Sequence, residues 1–380
     1  MKKIIFIITL IFLMTPHVFA LSESDISAEC ACLIEAKTGK ILFSKNKDLK
    51  HAMASTTKIM TAIIALEECD PNEVVCMSAT AVATEGSSVY MQSGEKIKMI
   101  DLIYGLMLNS GNDAAVAIAE HISGGTDAFC QKMNEKAASL GLSNTNFKNP
   151  NGLYDENHYT SAHDLAILTR YAMKNDSFRE IVGTKAKTVV LEETARALYF
   201  SNHNKMLWNY EGAIGVKTGY TKDTGRCLVS AAERNGTTLI CVTLDAPNDW
   251  TDHQLILDYG FSKIESRIII EKNQVLKTAE INGKIYDFIA ADSSVLSVES
   301  GNTAKTLVNL KISEELTGPF EKGEKVGVAE VIFGGEVLDS VDIVSAEDIY
   351  SQQETEHIIE EDLSFWDRLL NFLLKFLIYA

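Results

Sequence analysis

A serine and a lysine lie three residues apart where an apolar stretch of the chain begins. The pair is Ser55 and Lys58, and residues 59–66 after it carry apolar side chains at near-helical spacing. On a helix this spacing places both side chains on one face. A serine hydroxyl needs a base, and a lysine can serve once burial or a neighbouring positive charge has lowered its pKa. The pair therefore predicts Ser55 as a nucleophile and Lys58 as its general base.

The spacing by itself is not specific, because the chain repeats it. Ser44 and Lys47 stand three residues apart in a polar stretch before Asp48, where nothing would bury the lysine. In the same way Lys37-Thr38-Gly39 and Lys217-Thr218-Gly219 share one pattern, and the first copy is typical of a hairpin turn. Sequence context has to distinguish the two copies of each pattern.

Order and spacing together supply that context. The Ser55 and Lys58 pair is followed by Ser110-Gly111-Asn112, at a polar break between two apolar segments, and then by Lys217-Thr218-Gly219 on an apolar strand. These elements correspond to the S-x-x-K, Ser-x-Asn and K-[ST]-G set of penicillin-recognising serine enzymes. Each element alone could arise by chance, whereas all three in this order indicate one active site.

On these motifs the chain resembles the D-alanyl-D-alanine carboxypeptidases, the low-molecular-mass penicillin-binding proteins. The resemblance covers nearly the whole mature chain. Beyond the three motifs themselves, it is carried by residues 54–61, 86–88, 109–115, 149–153, 161–166 and 215–219. It implies an α/β (α+β) penicillin-binding/β-lactamase-like catalytic domain with an antiparallel sheet flanked by helices. A small all-β C-terminal domain and an amphipathic C-terminal helix complete the implied fold, with no metal or cofactor.

The resemblance also implies catalytic roles. Ser55 would be the acylated nucleophile and Lys58 its general base. Ser110 would relay a proton to the leaving D-alanine. The backbone N–H groups of Ser55 and Tyr220 would form the oxyanion hole, with Gly219 allowing backbone and substrate to approach closely.

Three further residues are implied to bind substrate. Asn112 would hold the substrate amide. Lys217 and Thr218 would hold the terminal carboxylate, and the charge of Lys217 would favour a neutral Lys58. The implied reaction removes the terminal D-alanine from peptidoglycan stem pentapeptides, and β-lactam antibiotics would be covalent inhibitors.

Two departures from the family pattern stand out. Many relatives have proline where this chain has Met53, a change we expect to be tolerated. Many relatives also carry a basic residue shortly before the closing helix, whereas residues 246–258 contain neither lysine nor arginine. Whether His253 or Arg226 takes over that role is open.

Two histidines suggest an alternative catalytic arrangement. His158 or His163 could complete a triad with Ser55, but a Ser/Lys pair needs no histidine, and the resemblance makes both loop or capping residues. Asp164, near the start of a predicted helix, is expected to be a capping or dipole partner.

Two other functions occur on this fold or could be carried by it. A class A β-lactamase would deacylate with a glutamate-activated water. In residues 144–164 the carboxylates Asp155 and Glu156 lack the E-x-x-L-N arrangement of that family. A catalytically silent wall-binding module would be expected to carry a damaged motif, yet all three motifs are intact.

Charge and the N-terminus limit the partners and the compartment. The 380-residue chain has a net charge of −17, which argues against nucleic acid as a partner. Residues 1–20 have the basic, apolar and small-residue zones of a secretory signal peptide, with cleavage expected after Ala20. An N-terminal membrane anchor is the alternative, but the apolar run is shorter than the roughly 20 residues of a span.

Seven cysteines are present, and none has the repeated spacing of a zinc site. Cys30 and Cys32 would share one face of a strand. We interpret the cysteines as buried free thiols, with a disulfide between Cys69 and Cys76 as the alternative.

The predicted domain order follows from composition. A signal peptide at 1–20 precedes a catalytic domain at 21–262, an all-β domain at 263–350 and an acidic linker at 351–362. Residues 363–380 form an apolar tail with a narrow polar stripe and three aromatic residues, suited to a membrane interface. Packing of this helix on the β domain and a membrane-spanning helix are the alternatives.

Periodicity predicts the elements that must position the site. We expect a hairpin at 30–44, a long loop at 144–158, and strands at 187–191, 212–219, 227–233 and 238–244. Helices are expected from Ser55 and at 96–108, 114–122, 129–140, 162–173 and 255–259.

Overall fold

The computed structural model describes residues 21–299, 305–351 and 369–370, which divide into two units. The first unit comprises the described residues up to Arg234 together with Thr238–Ile264. The second comprises Asn235–Thr237 and the described residues from Glu265 onward. The predicted signal peptide at 1–20, and residues 352–368 and 371–380 of the predicted linker and tail, lie outside the described residues.

The first unit combines a central sheet with helices on both faces. Its strands are β1 (Cys30–Glu35), β2 (Ile41–Lys45), β3 (Val74–Cys76), β4 (Lys96–Lys98), β5 (Ala186–Val190), β6 (Ala197–Ser201), β7 (Ala213–Thr221), β8 (Gly225–Arg234) and β9 (Thr237–Leu244). Its helices are α1 (Lys58–Glu68), α2 (Ala79–Val82), α3 (Met99–Leu108), α4 (Asn112–Ser123), α5 (Thr126–Ser139), α6 (Ala162–Ala172), α7 (Asp176–Gly183), α8 (Met206–Asn209) and α9 (Asp249–Lys263).

The main sheet has the strand order β2-β1-β9-β8-β7 and is antiparallel where the pairing register is defined. All six residues of β1 are buried, because helices cover the sheet on both faces. One face packs on α9 through Leu33, Leu239 and Leu257. The other face, which includes Cys30 and Cys32 as predicted, packs on the helical layer that contains α1 and α4. The strand that carries Lys217 is therefore at the edge of a sheet that is fixed from both sides.

Most predicted elements are confirmed, but three helices have wrong boundaries. The helix expected at 129–140 begins at Thr126. The helix expected at 96–108 begins only at Met99, because Lys96 to Lys98 form β4. In that strand Ile97 is buried while Lys96 is exposed, an alternation of period two that favours a strand over a helix. The closing helix expected at 255–259 runs from Asp249 to Lys263 instead.

The repeated patterns adopt the structures that context predicted. Ser44 lies on β2, and Lys47 forms an ion pair with Asp48 on the surface. The first Lys-Thr-Gly copy is the β1–β2 turn, with Gly39 at φ +77°. Neither the Ser44 and Lys47 pair nor Lys37-Thr38-Gly39 belongs to a buried site.

The second unit is built from strands in the described residues 265–299 and 305–351. Its strands are β10 (Ile264–Ile270), β11 (Val275–Ile281), β12 (Lys284–Ala290), β13 (Ser294–Glu299), β14 (Thr306–Ile312), β15 (Lys325–Phe333) and β16 (Glu336–Ser345). Five of them form a sheet in the order β11-β12-β16-β15-β14 around a core that includes Phe288, Leu296 and Ile343. The predicted turn at Asn282-Gly283 is present, with φ of +55° and +77°.

All seven cysteines are free thiols. Five are buried, Cys69 is half-buried and Cys76 is exposed, so the alternative disulfide between the last two is absent. Burial raises the pKa of Cys30 to about 11 and that of Cys32 to about 12, which keeps both thiols protonated at neutral pH. They therefore act as small apolar side chains.

Among the described residues, no helix is both long enough and apolar enough to cross a membrane.

A buried carboxylate ties the segment before β1 to α9. Asp252 accepts hydrogen bonds from the backbone N–H and hydroxyl of Ser27, at 3.0 and 2.7 Å, and from the backbone N–H of Ala28 at 2.9 Å. The Ser27 hydroxyl in turn accepts from the backbone N–H of Asn248 at 2.9 Å. These bonds hold the start of the sheet against the N-terminal turn of α9.

Replacing Asp252 with asparagine is expected to lower the free energy of unfolding by about 1–3 kcal/mol. The amide cannot accept all three hydrogen bonds, so a buried donor loses its partner. The matched control is Asp223→Asn in the exposed β7–β8 turn, for which we expect a change below about 0.5 kcal/mol. Denaturant unfolding at pH 7 measures both, and an Asp252→Asn protein as stable as the parent would contradict the assignment.

Candidate active site

Ser55 lies in a tight turn that leads directly into α1. The turn is a 3-10 segment, Ala54–Thr57, and Lys58 is the first residue of the helix that follows. Ala54 has φ +46°, in the left-handed region that side-chain-bearing residues seldom adopt. The hydroxyls of Thr56 and Thr57 donate to the carbonyls of Met53 and Ala54, at 2.6 and 2.8 Å, and so hold the turn.

The amine of Lys58 is fully buried and lies among three oxygen atoms. Its Nζ is 3.0 Å from Ser55 Oγ, 2.7 Å from Asn112 Oδ1 and 2.5 Å from the carbonyl oxygen of Asn151. A neutral amine has two N–H donors and one lone pair. Two donors suit Asn112 and Asn151, which can only accept at those atoms, and the lone pair suits the Ser55 hydroxyl. The contacts therefore match a neutral lysine placed to accept the proton of Ser55.

The electrostatics favour the same protonation state. Burial lowers the pKa of Lys58 well below its ordinary value, and the nearby positive charge of Lys217 lowers it further. The carboxylate of Asp113 acts in the opposite direction. Burial is the largest of these effects, so the electrostatics favour the neutral form of Lys58.

Both polar atoms of the side-chain amide of Asn112 form hydrogen bonds. While its Oδ1 faces Lys58, its Nδ2 donates to the carbonyl of Glu85 at 2.6 Å. It is the first residue of α4, whereas the sequence predicted it on the connection before that helix. Gly86 lies so close that a Cβ there would come within 2.6 Å of the amide nitrogen of Asn112.

Asp113 holds the segment next to Asn112 in place, and it was not predicted as a site residue from the sequence. Its carboxylate accepts from the Ser88 hydroxyl at 2.6 Å and from the backbone N–H of Val89 at 3.0 Å. It thereby ties the segment around Ser87 to the start of α4. Since Ser87 lines the active-site cleft, Asp113 helps to shape one of its walls.

Ser110 lies between α3 and α4, as predicted, and is buried beside the cleft. Its φ of +59° is again in the left-handed region, an uncommon conformation for serine that turns the chain sharply between the two helices. Ser110 and Ser55 line the same cleft.

Lys217 projects from β7 and is almost fully buried. Its Nζ donates to the carbonyl of Thr218 at 2.9 Å. Burial lowers the pKa of Lys217 to about 7, so the side chain changes charge within the physiological range. The charge it carries while protonated is the one that lowers the pKa of Lys58.

Gly219 brings β7 against the nucleophile turn. A Cβ at this position would lie 3.1 Å from both the backbone nitrogen of Ser55 and the carbonyl oxygen of Met53. The next residue, Tyr220, has an exposed side chain. The absence of a side chain at Gly219 thus allows the backbone of β7 to run beside Ser55.

These residues surround one open cleft of about 330 Å³. Its lining residues are Ser55, Ser87, Ser110, His203, Lys205, Thr218, Gly219, Tyr220, Arg226, Asp249 and Trp250. The structure therefore brings five of the eight predicted site residues to the cleft surface. Lys58, Asn112 and Lys217 lie behind that surface. Lys58 is hydrogen-bonded to Ser55, Asn112 to Lys58, and Lys217 to the carbonyl of Thr218.

His253 and Arg226, the two candidates for the basic residue that many relatives carry before the closing helix, have different surroundings. His253 is fully buried, with its ring nitrogens 2.5 Å from Ser230 Oγ and 2.9 Å from Thr243 Oγ1, and it does not line the cleft. Burial lowers its pKa to about 3. Arg226 does line the cleft, and its Nη2 is 2.9 Å from Asp249 Oδ2.

The cleft also contains two basic side chains that sequence reasoning missed. His203 and Lys205 precede α8 and line the cleft. Burial and the charge of Lys217 lower the pKa of His203. The Asn-His-Asn-Lys sequence at 202–205 is polar and basic and could have indicated these residues. It lies outside the three motifs, so nothing in the sequence linked it to the site.

The remaining candidates have structural contacts. His163 is half-exposed, 3.9 Å from Asp48, and His158 contacts Thr57 and not Ser55. Asp164 lies in the first turn of α6 and accepts from the backbone N–H of Asn144 at 2.7 Å, while Ser161 caps the helix. Neither histidine forms a triad with Ser55.

Two groups of side chains among the described residues are close enough together to hold a metal ion. One is Cys69, Glu73 and His121, and the other is Glu29, His51 and Asp245. No member of either group lines the cleft.

Comparison with known proteins agrees with this geometry. Residues 17–248 match the D-alanyl-D-alanine carboxypeptidase family, and residues 265–351 match the C-terminal domain of penicillin-binding protein 5. The chain is 33% identical to the D-alanyl-D-alanine carboxypeptidase DacF of Bacillus subtilis, over 86% of this chain and 87% of that protein.

Solved structures show the same fold. The D-alanyl-D-alanine carboxypeptidase DacD of Francisella tularensis has a TM-score of 0.62 at 26% identity, covering 93% of this chain and 98% of that one. Penicillin-binding protein 5 of Haemophilus influenzae also has a TM-score of 0.62 at 26% identity, covering 87% and 99%. The expected penicillin-binding catalytic fold and all-β C-terminal domain are thereby confirmed. The chain belongs to the D-alanyl-D-alanine carboxypeptidase family of serine peptidases.

Proposed function

We propose that the protein removes the terminal D-alanine from peptidoglycan stem pentapeptides through an acyl-enzyme formed on Ser55. The observation that carries this proposal is the buried amine of Lys58, 3.0 Å from Ser55 Oγ at the edge of an open cleft. Family membership and the intact motif set support the substrate class.

Acylation begins when Ser55 Oγ attacks the carbonyl carbon of the penultimate D-alanine. Lys58 accepts the hydroxyl proton as the oxygen–carbon bond forms. The bond between that carbon and the nitrogen of the terminal D-alanine then breaks, and Ser110 passes the proton from Lys58 to the leaving amine. Free D-alanine departs, and the remaining peptide is an ester of Ser55.

The developing oxyanion requires donors that are already in place. The backbone N–H groups of Ser55 and Tyr220 belong to two segments that Gly219 brings together. Donors fixed before the reaction stabilise the tetrahedral intermediate without further reorganisation. We assign the oxyanion hole to these two groups.

Hydrolysis completes the cycle. Lys58 accepts a proton from a water molecule, the water oxygen bonds to the acyl carbon, and the bond to Ser55 Oγ breaks as that oxygen regains a proton. A β-lactam ring would be opened by the same attack of Ser55. The product would remain covalently attached wherever water fails to displace it.

Positive charge at one end of the cleft would select a substrate with a free carboxylate. Lys217 and Thr218 lie on β7, while Lys205 and Arg226 add cations at the cleft surface. This local charge counteracts the net charge of −17 on the whole chain. We assign the terminal carboxylate of the substrate to this end.

The acidic groups of the cleft favour a carboxypeptidase over a β-lactamase. Among the described lining residues Asp249 alone is acidic, and it is paired with Arg226. In the loop at 144–158, Asp155 accepts from the backbone N–H of Asn157 at 2.7 Å and does not line the cleft. No carboxylate in this lining is placed to activate a deacylating water.

We further propose that the protein acts outside the cytoplasm, held peripherally on the outer face of the cytoplasmic membrane. The sequence of residues 1–20 supports export. The wide apolar face and aromatic residues of segment 363–380 support attachment at the membrane interface.

Replacing Ser55 with alanine is expected to abolish covalent labelling by a fluorescent penicillin. Release of D-alanine from a diacyl-Lys-D-Ala-D-Ala peptide should fall by at least about a thousandfold, since the acyl-enzyme cannot form. The matched control is Ser44→Ala, which removes the serine of the repeated spacing and should leave both activities unchanged. Labelling of the Ser55→Ala protein at the parent rate would exclude the proposal.

The dependence of kcat/KM on pH should have two limbs. On the acid side it should fall as Lys58 becomes protonated and can no longer accept the serine proton. On the alkaline side it should fall above about pH 7, because Lys217, with its pKa of about 7, loses the charge that holds the substrate carboxylate. Rates of D-alanine release between pH 5 and 10 would measure both limbs.

The alkaline limb can be assigned with a Lys217→Arg protein. A guanidinium stays protonated throughout this range, so the fall above about pH 7 should disappear even if the overall rate is lower. An unchanged alkaline limb in this variant would show that another group is responsible.

Removing residues 363–380 should release the protein from membranes without loss of catalysis. The intact protein should sediment with vesicles of phosphatidylglycerol and phosphatidylethanolamine, and the shortened one should stay in the supernatant. D-alanine release provides the control that the catalytic unit is intact. Equal sedimentation of the two proteins would refute the membrane attachment.

A further inference from the structure

We propose that His158 is a positioning residue, which orients the peptide group between Ala54 and Ser55 so that its N–H can stabilise the oxyanion. The inference rests on the proposed function of Ser55. It concerns a buried histidine that contacts neither Ser55 nor Lys58 and has no part in the steps described above. His158 acts instead through Thr57.

The direction of each hydrogen bond is determined by a backbone donor. The N–H of Lys148 donates to His158 Nδ1 at 3.0 Å, so this nitrogen is the acceptor and the ring proton is on Nε2. His158 Nε2 is 2.7 Å from Thr57 Oγ1 and therefore donates to it. The Thr57 hydroxyl then donates to the carbonyl of Ala54 at 2.8 Å. The result is one continuous chain of donors that ends on the Ala54 oxygen.

The protonation state of the ring is consistent with this direction. His158 is buried, and burial lowers its pKa to about 4. A positive charge on Lys58 would act in the same sense, and the charge of Asp155 opposes it. The imidazole is thus neutral at neutral pH, with one donor and one acceptor, and both are used. It has no free nitrogen with which to act as a base.

The last acceptor of this hydrogen-bond series, the carbonyl oxygen of Ala54, connects His158 to catalysis. The Ala54 carbonyl and the Ser55 N–H belong to one planar peptide group and point in opposite directions. Fixing the oxygen therefore fixes the direction of the N–H that we assign to the oxyanion hole. A hydrogen bond to the carbonyl also polarises the peptide group and makes its N–H a stronger donor.

This peptide group needs external support, because Ala54 has φ +46°. The left-handed conformation is disfavoured for a residue that carries a side chain. The loop at 144–158 supplies the support from two sides. Gly152 packs so closely that a Cβ there would lie 2.0 Å from the Ala54 oxygen, and His158 acts through Thr57 on the same atom.

The same loop also positions the base. The carbonyl of Asn151 accepts from Lys58 Nζ, and that of Pro150 accepts from the Thr61 hydroxyl at 2.6 Å. Nucleophile, base and oxyanion donor are therefore all held by one loop. His158 is the side chain through which that loop reaches the oxyanion peptide.

The test compares His158→Ala with His158→Gln. Alanine interrupts the chain of donors, and the rate of covalent labelling by a fluorescent penicillin at saturation should fall by about 10–100-fold. The concentration for half-saturation should change little, because no cleft contact is lost. Glutamine can accept from Lys148 with its oxygen and donate to Thr57 with its nitrogen, so it should restore most of the rate.

A second variant tests the same series of hydrogen bonds without removing the histidine. Thr57→Val keeps the shape of the side chain but removes the hydroxyl, and it should reduce the labelling rate to a similar extent. Because both changes interrupt one chain, the double variant His158→Ala/Thr57→Val should be little slower than either single variant.

The matched control is His253→Gln. This histidine is also buried and is bonded to hydroxyls through both nitrogens, but it does not line the cleft. Its replacement should lower the melting temperature while leaving the labelling rate of the folded protein unchanged.

The outcomes separate this inference from the proposed function. If the parent protein is not labelled at all, the proposed function fails. If the parent is labelled and a folded His158→Ala or Thr57→Val protein is labelled at the same rate, the positioning role is overturned. Failure of His158→Gln to exceed His158→Ala would overturn it as well, since the hydrogen-bonding capacity would then be irrelevant.

Discussion

The site depends on keeping the amine of one lysine neutral inside the protein. Lys58 is completely buried, and burial is the largest cause of its lowered pKa. A charged amine there would have lost its hydration, whereas a neutral one has a partner for each N–H and for its lone pair. Lys217 adds a second effect from another strand, because two positive charges in one low-dielectric region disfavour each other. The same lysine pair thus supplies a base and a cation.

Holding these groups together requires backbone conformations that are uncommon elsewhere. Ala54 and Ser110 both have positive φ, and both lie beside the cleft. Gly152 and Gly219 allow backbone segments to approach the nucleophile turn where any side chain would collide with it. Such strain persists only when the surrounding structure fixes it, which is the role of the loop at 144–158 and of the edge strand β7. Substrate can therefore meet donors that need no rearrangement.

The errors in reading the sequence have physical causes. The strand β4, Lys96–Lys98, was predicted as part of α3. Its alternating burial is hard to recognise in sequence because the apolar run of α3 follows it directly. The start of the closing helix was predicted too late because three of the first four residues of that helix are polar. The carboxylates of Asp249 and Asp252 among them bind Arg226 and the backbone. His253 and Arg226 could not be separated from sequence, since both lie near the predicted site along the chain. Only their packing shows that one is in the core and the other in the cleft.

The family, the order of the parts and the candidate chemistry can all be predicted from the amino-acid sequence. Its motifs predict Ser55 as nucleophile and Lys58 as base, and its apolar periodicity, which is a local property of the chain, predicts the sheet. The tertiary structure decided which groups make that chemistry operate. The carbonyl of Asn151, the imidazole of His158 and the cations Lys205 and Arg226 carry no motif. Their roles arise from contacts between segments remote in sequence, and such contacts exist only once the chain has folded.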